Sequence, residues 1–109
     1  MKFDEKNQLS IQKNKEGVDL AKNGNKDLAY EYFCDAINLN PKYPSPYFNL
    51  GNIFMEKKLY IKAIENFKKS ILLDKNNNQY KFRLGIAYAE SKEFKKSIKI
   101  FEGILKEDT

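Results

Sequence analysis

The chain has 109 residues, 41% hydrophobic and 32% charged, with a net charge of +5; that length is a prior for one domain, and that balance excludes wholesale disorder. It has no histidine and a single cysteine, Cys34. This excludes an imidazole base, a Cys–His nucleophile pair, an internal disulfide and a cysteine metal cluster.

Residues 1–9 carry basic residues without an apolar run behind them, so they do not read as a secretory leader. They show no periodicity and read as a short, frayed N-terminal extension to a domain spanning 10–109. The spacing then predicts helices over 10–22 and 27–39, separated by the turn Asn23-Gly24-Asn25-Lys26. Pro41 and Pro44 end this pair and open the next. In the following helix, over 45–57, Tyr47, Leu50, Phe54 and Met55 fall on one face. After the polar stretch Glu56-Lys57-Lys58, Tyr60, Ala63, Ile64, Phe67 and Ile71 mark a helix over 60–73. Asn76, Asn77 and Asn78 separate it from helices over 79–90 and 94–106, which flank Glu90-Ser91-Lys92. No stretch is long and apolar enough to span a membrane. With one unpaired thiol, the expected setting is intracellular and cytoplasmic.

A repeat underlies these six helices. Gly17, Gly51 and Gly85 stand 34 residues apart, as do Leu20, Phe54 and Tyr88, and Phe33, Phe67 and Phe101. Ala29, Ala63 and Ser97 form a column of small residues, and Ile37, Ile71 and Leu105 an aliphatic one. The units are 10–43, 44–77 and 78–109. Glycine inside a helix costs about 1 kcal/mol relative to alanine, so three at one register call for close helix approach within each pair. The small column is expected to face them, with aromatics filling the gaps between hairpins. One such hairpin cannot bury its own apolar face, so the units are expected to stack cooperatively.

These columns resemble the tetratricopeptide repeat (TPR), a helix-turn-helix unit of this period. Unit one carries Gly17, Leu20, Ala29, Phe33, Ala36 and Pro41 but departs at Lys13 and Glu16. Unit two carries Tyr47, Leu50, Gly51, Phe54, Ala63 and Phe67, with Ser70 and Lys75 as departures. Unit three carries Leu84, Gly85, Tyr88 and Phe101, with Lys81, Ser97 and Ile104 off the pattern. The resemblance implies an all-α, right-handed superhelical array of three hairpins whose first helices line a concave face that takes a peptide or helix of a partner protein.

By the same resemblance, the groove positions are Ile11, Asn14, Val18, Ala21 and Lys22 in unit one, and Phe48, Asn49, Asn52, Met55 and Glu56 in unit two. In unit three they are Gln79, Phe82, Arg83, Ile86, Ala89 and Glu90. The ligand-binding set is Val18, Lys22, Phe48, Asn49, Asn52, Met55, Phe82, Arg83 and Ile86, apolar stripes flanked by amides and a guanidinium. Phe48 and Phe82 also suit interior packing between hairpins. The carboxylate clamp of chaperone-tail receptors would fall on Asn14, Val18, Asn49, Gln79 and Arg83, and only Asn49 and Arg83 fit it. The residues therefore imply a peptide partner other than an acidic chaperone tail.

No cofactor, metal or catalytic residue is implied. The basic excess lies in the last two units, +3 over 44–77 and +2 over 78–109, where Lys57, Lys58, Lys62, Lys68, Lys69, Lys92, Lys95, Lys96 and Lys99 form a flank able to hold phosphates. Glu65 and Glu93 interleave with it and Arg83 is the one arginine, which argues against a nucleic-acid partner. The last hairpin, with Ile98, Phe101, Ile104 and Leu105, ends without a capping helix and is expected to self-associate or to continue into a larger scaffold.

Overall fold

The computed structural model describes residues 2–107, and among these every regular element is a helix. In chain order they are α1 (Phe3–Lys22), α2 (Lys26–Leu39), α3 (Ser45–Glu56), α4 (Tyr60–Leu73), α5 (Asn78–Glu90) and α6 (Phe94–Glu107). Short polar turns make α1–α2, α3–α4 and α5–α6 antiparallel pairs. Each second helix packs on the first helix of the next pair, α2 on α3 and α4 on α5. The result is an all-α solenoid of 44 × 29 × 19 Å.

Local chemistry sets the helix ends. The side chains of Asn25 and Asn77 accept from the backbone N–H groups of Leu28 and Tyr80, capping α2 and α5. Prolines 44 and 46 sit at the start of α3, where a missing N–H costs nothing. The three hairpin turns place Gly24, Lys58 and Lys92 at one register with φ of 87°, 61° and 67°. A left-handed conformation suits glycine and costs lysine on the order of 1 kcal/mol.

α1 begins at Phe3, seven residues earlier than the periodicity predicts, so Phe3–Leu9 is helical and not frayed. Over this stretch the apolar residues Phe3 and Leu9 are exposed and the contacts that hold the helix are polar, which hides it from an apolar-period reading, yet Asp4 and Glu5 suit the positive end of the helix dipole. Asn40 Nδ2 donates to Asn7 Oδ1 at 2.7 Å and Ser10 Oγ donates to the Ala36 carbonyl at 2.7 Å, pinning the first turns of α1 to the end of α2.

The glycine column lies under aromatic rings of the second helices. A Cβ on Gly17 would stand 2.6 Å from the Phe33 ring, one on Gly85 would stand 2.6 Å from the Phe101 ring, and one on Gly51 would collide with the Phe67 ring. The second-helix phenylalanines fill the space opened by the glycines, and Phe33 and Phe67 also join the clusters at the junctions between hairpins. Ala29 and Ala63 are fully buried in the core. Ser97, from the same column, donates to the Gly85 carbonyl at 2.8 Å.

The core divides at the two junctions between hairpins. At the first, Ala29, Phe33, Leu50 and Ile53 gather, with Val18, Leu20 and Ile37 against them. At the second, Phe48, Ala63, Ile64, Phe67, Tyr80, Leu84, Ala87 and Tyr88 gather, with Met55 and Ile71. Phe54 touches both clusters and makes the interior continuous.

Candidate functional site

The residues at the fifth position of each unit, Asn14, Phe48 and Phe82, show how the inner face is built. Asn14 is 6% exposed. Its Nδ2 donates to Ser45 Oγ at 3.1 Å and Tyr43 Oη at 3.4 Å, and its Oδ1 accepts from Asn49 Nδ2 at 2.9 Å. The network ties α1 to the start of α3 and satisfies a buried amide. Phe48, 34 residues on, is 8% exposed; its ring stacks on Tyr80 at 4.6 Å and lies 5.7 Å from Phe67. Phe82 is 50% exposed among the described residues, resting on Phe101 at 5.6 Å.

This corrects the expectation for Phe48. The third hairpin covers its ring, so it holds α3 to α5 and offers no face to a ligand. Met55 is half-buried and packs on the same cluster. Val18, Lys22, Asn49 and Asn52 do come together. With Ala21, Lys26, Ile53 and Glu56 they line a cleft of about 230 Å³ between α1 and α3. Val18 and Lys22 also border a shallower recess of about 390 Å³ with Ile11, Lys15, Asp19 and Tyr43. Phe82, Arg83 and Ile86 lie on the separate α5 stretch of the array; the first two are exposed and Ile86 is half-buried.

The electrostatics of the cleft are mixed. Lys26 pairs with Glu56 across its rim, and Lys57 with Asp27 at 3.5 Å. Lys22 is exposed, and Asn52 makes no side-chain hydrogen bond among the described residues. Sequence reasoning missed Tyr43 and Ser45, which flank Pro44 and complete the Asn14 network; two hydroxyl residues beside a proline turn were the available signal.

Tyr80 has its phenol pushed above the usual range by burial, with Asp74 and Tyr43 adding to the effect. Cys34 is half-buried against the first cluster, and burial pushes its thiol up and keeps it protonated. No group of potential metal ligands gathers among the described residues, and no described helix is long and apolar enough to cross a membrane.

Comparison with known proteins agrees with this geometry. The family profile of the tetratricopeptide repeat matches residues 20–43 and 44–77. Tetratricopeptide repeat protein 6 of Homo sapiens is 41% identical over 54 residues, covering 50% of this chain and 10% of that protein. Protein O-mannosyl-transferase TMTC3 of Mus musculus is 28% identical over 87 residues, covering 80% of this chain and 10% of that protein. The chain thus spans about a tenth of the length of these curated relatives. Among solved structures, the second TPR of Spaghetti (RPAP3), bound to the HSP90 peptide SRMEEVD, superposes with a TM-score of 0.88 at 21% identity, covering 94% of each chain. The OM64 TPR domain of Arabidopsis superposes with a TM-score of 0.85 at 24% identity, covering 92% of this chain and 83% of that one. Three stacked hairpins of one period, glycines packed under phenylalanine rings and a family profile matched over more than half the residues place the chain in the tetratricopeptide repeat family.

Proposed function

We propose that this chain is a protein-interaction module that holds a peptide or helical segment of a partner protein against the inner face of its first helices. The observation that carries this reading is the cleft between α1 and α3. There Val18 supplies apolar contact, Lys22 a cation and Asn52 an amide, neither with a side-chain partner among the described residues, beside Asn49. A helix-in-groove or extended ligand uses this combination, with apolar anchors for affinity and amides for register. Phe82, Arg83 and Ile86 would extend the contact along α5. The peptide held by the RPAP3 domain gives the reading a structural precedent.

The ligand differs from an acidic chaperone tail. Asn14, at a clamp position, is buried and engaged with Tyr43, Ser45 and Asn49, Val18 stands where such a clamp needs an amide, and Gln79 stands where it needs a cation. We propose no catalytic role and no cofactor, and we place the module in the cytoplasm, where a lone protonated thiol such as Cys34 stays reduced. Nucleic acid is a poorer partner, since Glu65 and Glu93 interrupt the lysine flank and Lys96 is itself paired with Glu93 at 3.1 Å.

Partner capture from a lysate, followed by a binding isotherm for the recovered peptide, tests the reading. Lys22→Ala and Asn52→Ala should each weaken binding about fivefold, the loss of one ordinary hydrogen bond or charge contact, with the helical content unchanged. Wild-type affinity in both variants would remove the cleft from consideration.

A second reading rests on α6. Ile98 is 55% exposed and Leu105 66%, whereas Ile64, at the register of Ile98 on α4, is 8% exposed under α5. We propose self-association through this uncovered stripe. Light scattering should show a concentration-dependent dimer that Ile98→Lys converts to monomer; a monomer at every concentration rules it out.

A further inference from the structure

The two junctions between hairpins differ at their turn edge. At the first, Lys26 and Asp27 at the start of α2 pair with Glu56 and Lys57 at the end of α3. Advancing each position by 34 residues gives Tyr60 and Ile61 against Glu90 and Ser91. The second junction therefore lacks the ionic staple. In its place is an open hollow of about 670 Å³ bordered by Leu59, Ile61, Lys58, Lys62, Lys92 and Glu90. Ile61 is 76% exposed and Leu59 45%. Lys58, Lys92 and Glu90 form no ion pair among the described residues; Lys62 lies over the Phe54 ring at 5.7 Å.

We propose that this hollow, separate from the cleft between α1 and α3, docks an acidic segment of a partner protein that carries an aliphatic anchor. The apolar floor of Leu59 and Ile61 takes the anchor. The three lysines outnumber Glu90 and set the sign of the flanking charge, so an acidic chain is attracted and a basic one repelled. Lysine also occupies the left-handed turn position at both 58 and 92, where unit one has Gly24. The backbone there favours glycine, and the lysines place two cations on the rim of this one hollow.

The test uses the full chain and a fluorescein-labelled synthetic peptide with two leucines set among glutamates and aspartates, read by fluorescence anisotropy at low salt. Binding is expected, weakening as salt rises. The double variant Lys58→Gly/Lys92→Gly should bind about three- to tenfold more weakly. It should fold at least as well, because glycine is at ease at those backbone angles. Ile61→Asp with Ser91→Lys writes the first junction's staple into the second and should abolish binding. Lys22→Ala and Asn52→Ala should leave the affinity unchanged, which separates this surface from the inner cleft. The proposal is overturned by no binding at low salt, by unaltered binding in the glycine double variant, by a peptide with alanine for leucine binding as tightly, or by loss of binding in Lys22→Ala.

Discussion

The two hairpin junctions solve one packing problem with opposite chemistry. Between the first and second hairpins, the fifth-position residue is Asn14, held in an amide and hydroxyl network, and the turn edge is closed by Lys26–Glu56 and Lys57–Asp27. Between the second and third hairpins, that position is Phe48, stacked on Tyr80 and Phe67, and the turn edge is left open and apolar. Directional bonds fix the angle of the first junction. Area burial holds the second, with no comparable directional restraint at its turn edge. A repeat fold thus keeps its backbone period while the glue at each interface varies, since each unit contacts only its neighbours.

The contrast predicts unequal responses to substitution. Phe48→Ala should have the largest effect, a loss of about 3–5 kcal/mol for a buried phenylalanine truncated in a packed core. Urea unfolding would show it, with hydrogen exchange rising first in α5 and α6; a loss below ~1 kcal/mol would mean that the ring is dispensable. Asn14→Ala should cost about 1–3 kcal/mol, because the half-buried Asn49 amide and the Ser45 hydroxyl lose their partner. Its hydrogen-exchange signature should appear in α1 and α2.

Alkaline pH should act on the second junction by preference. Burial raises the Tyr80 phenol above its ordinary value of 10.0, so the folded state holds the proton more tightly than the unfolded chain. That stabilisation is complete below pH 10 and is lost as pH rises through the folded value. Tyr80→Phe should flatten the alkaline fall in the thermal midpoint, and an unchanged slope would count against a buried phenol there. Opening the first junction's staple with Lys57→Ala should have the smallest effect, below about 1 kcal/mol, since both partners are exposed and salt screens them.

Much of the fold was readable from spacing. The 34-residue steps of Gly17, Gly51 and Gly85 and of Phe33, Phe67 and Phe101 give the number of hairpins and the positions of their turns. The glycines announced close helix approach but not the phenylalanine rings that lie over them, because phenylalanine and alanine columns on one helix both lie within reach of a partner helix. The start of α1 was invisible because its support is a pair of polar contacts from Asn7 and Ser10, which have no apolar period. Of the residues expected to bind a ligand, the structure gathers Val18, Lys22, Asn49 and Asn52 at one cleft and buries Phe48.

The sequence alone determined the helices, their pairing and the repeat, because these follow from side-chain periodicity and turn chemistry within one unit. Only the tertiary structure decided which residues of the column Asn14, Phe48 and Phe82 are interior and which are surface. The three share one position in the helix, and their exposure depends on what the next hairpin lays over them: Ser45 and Asn49 for the first, Tyr80 for the second and nothing among the described residues for the third. That information lies in the neighbouring unit, and stacking is what brings it to bear.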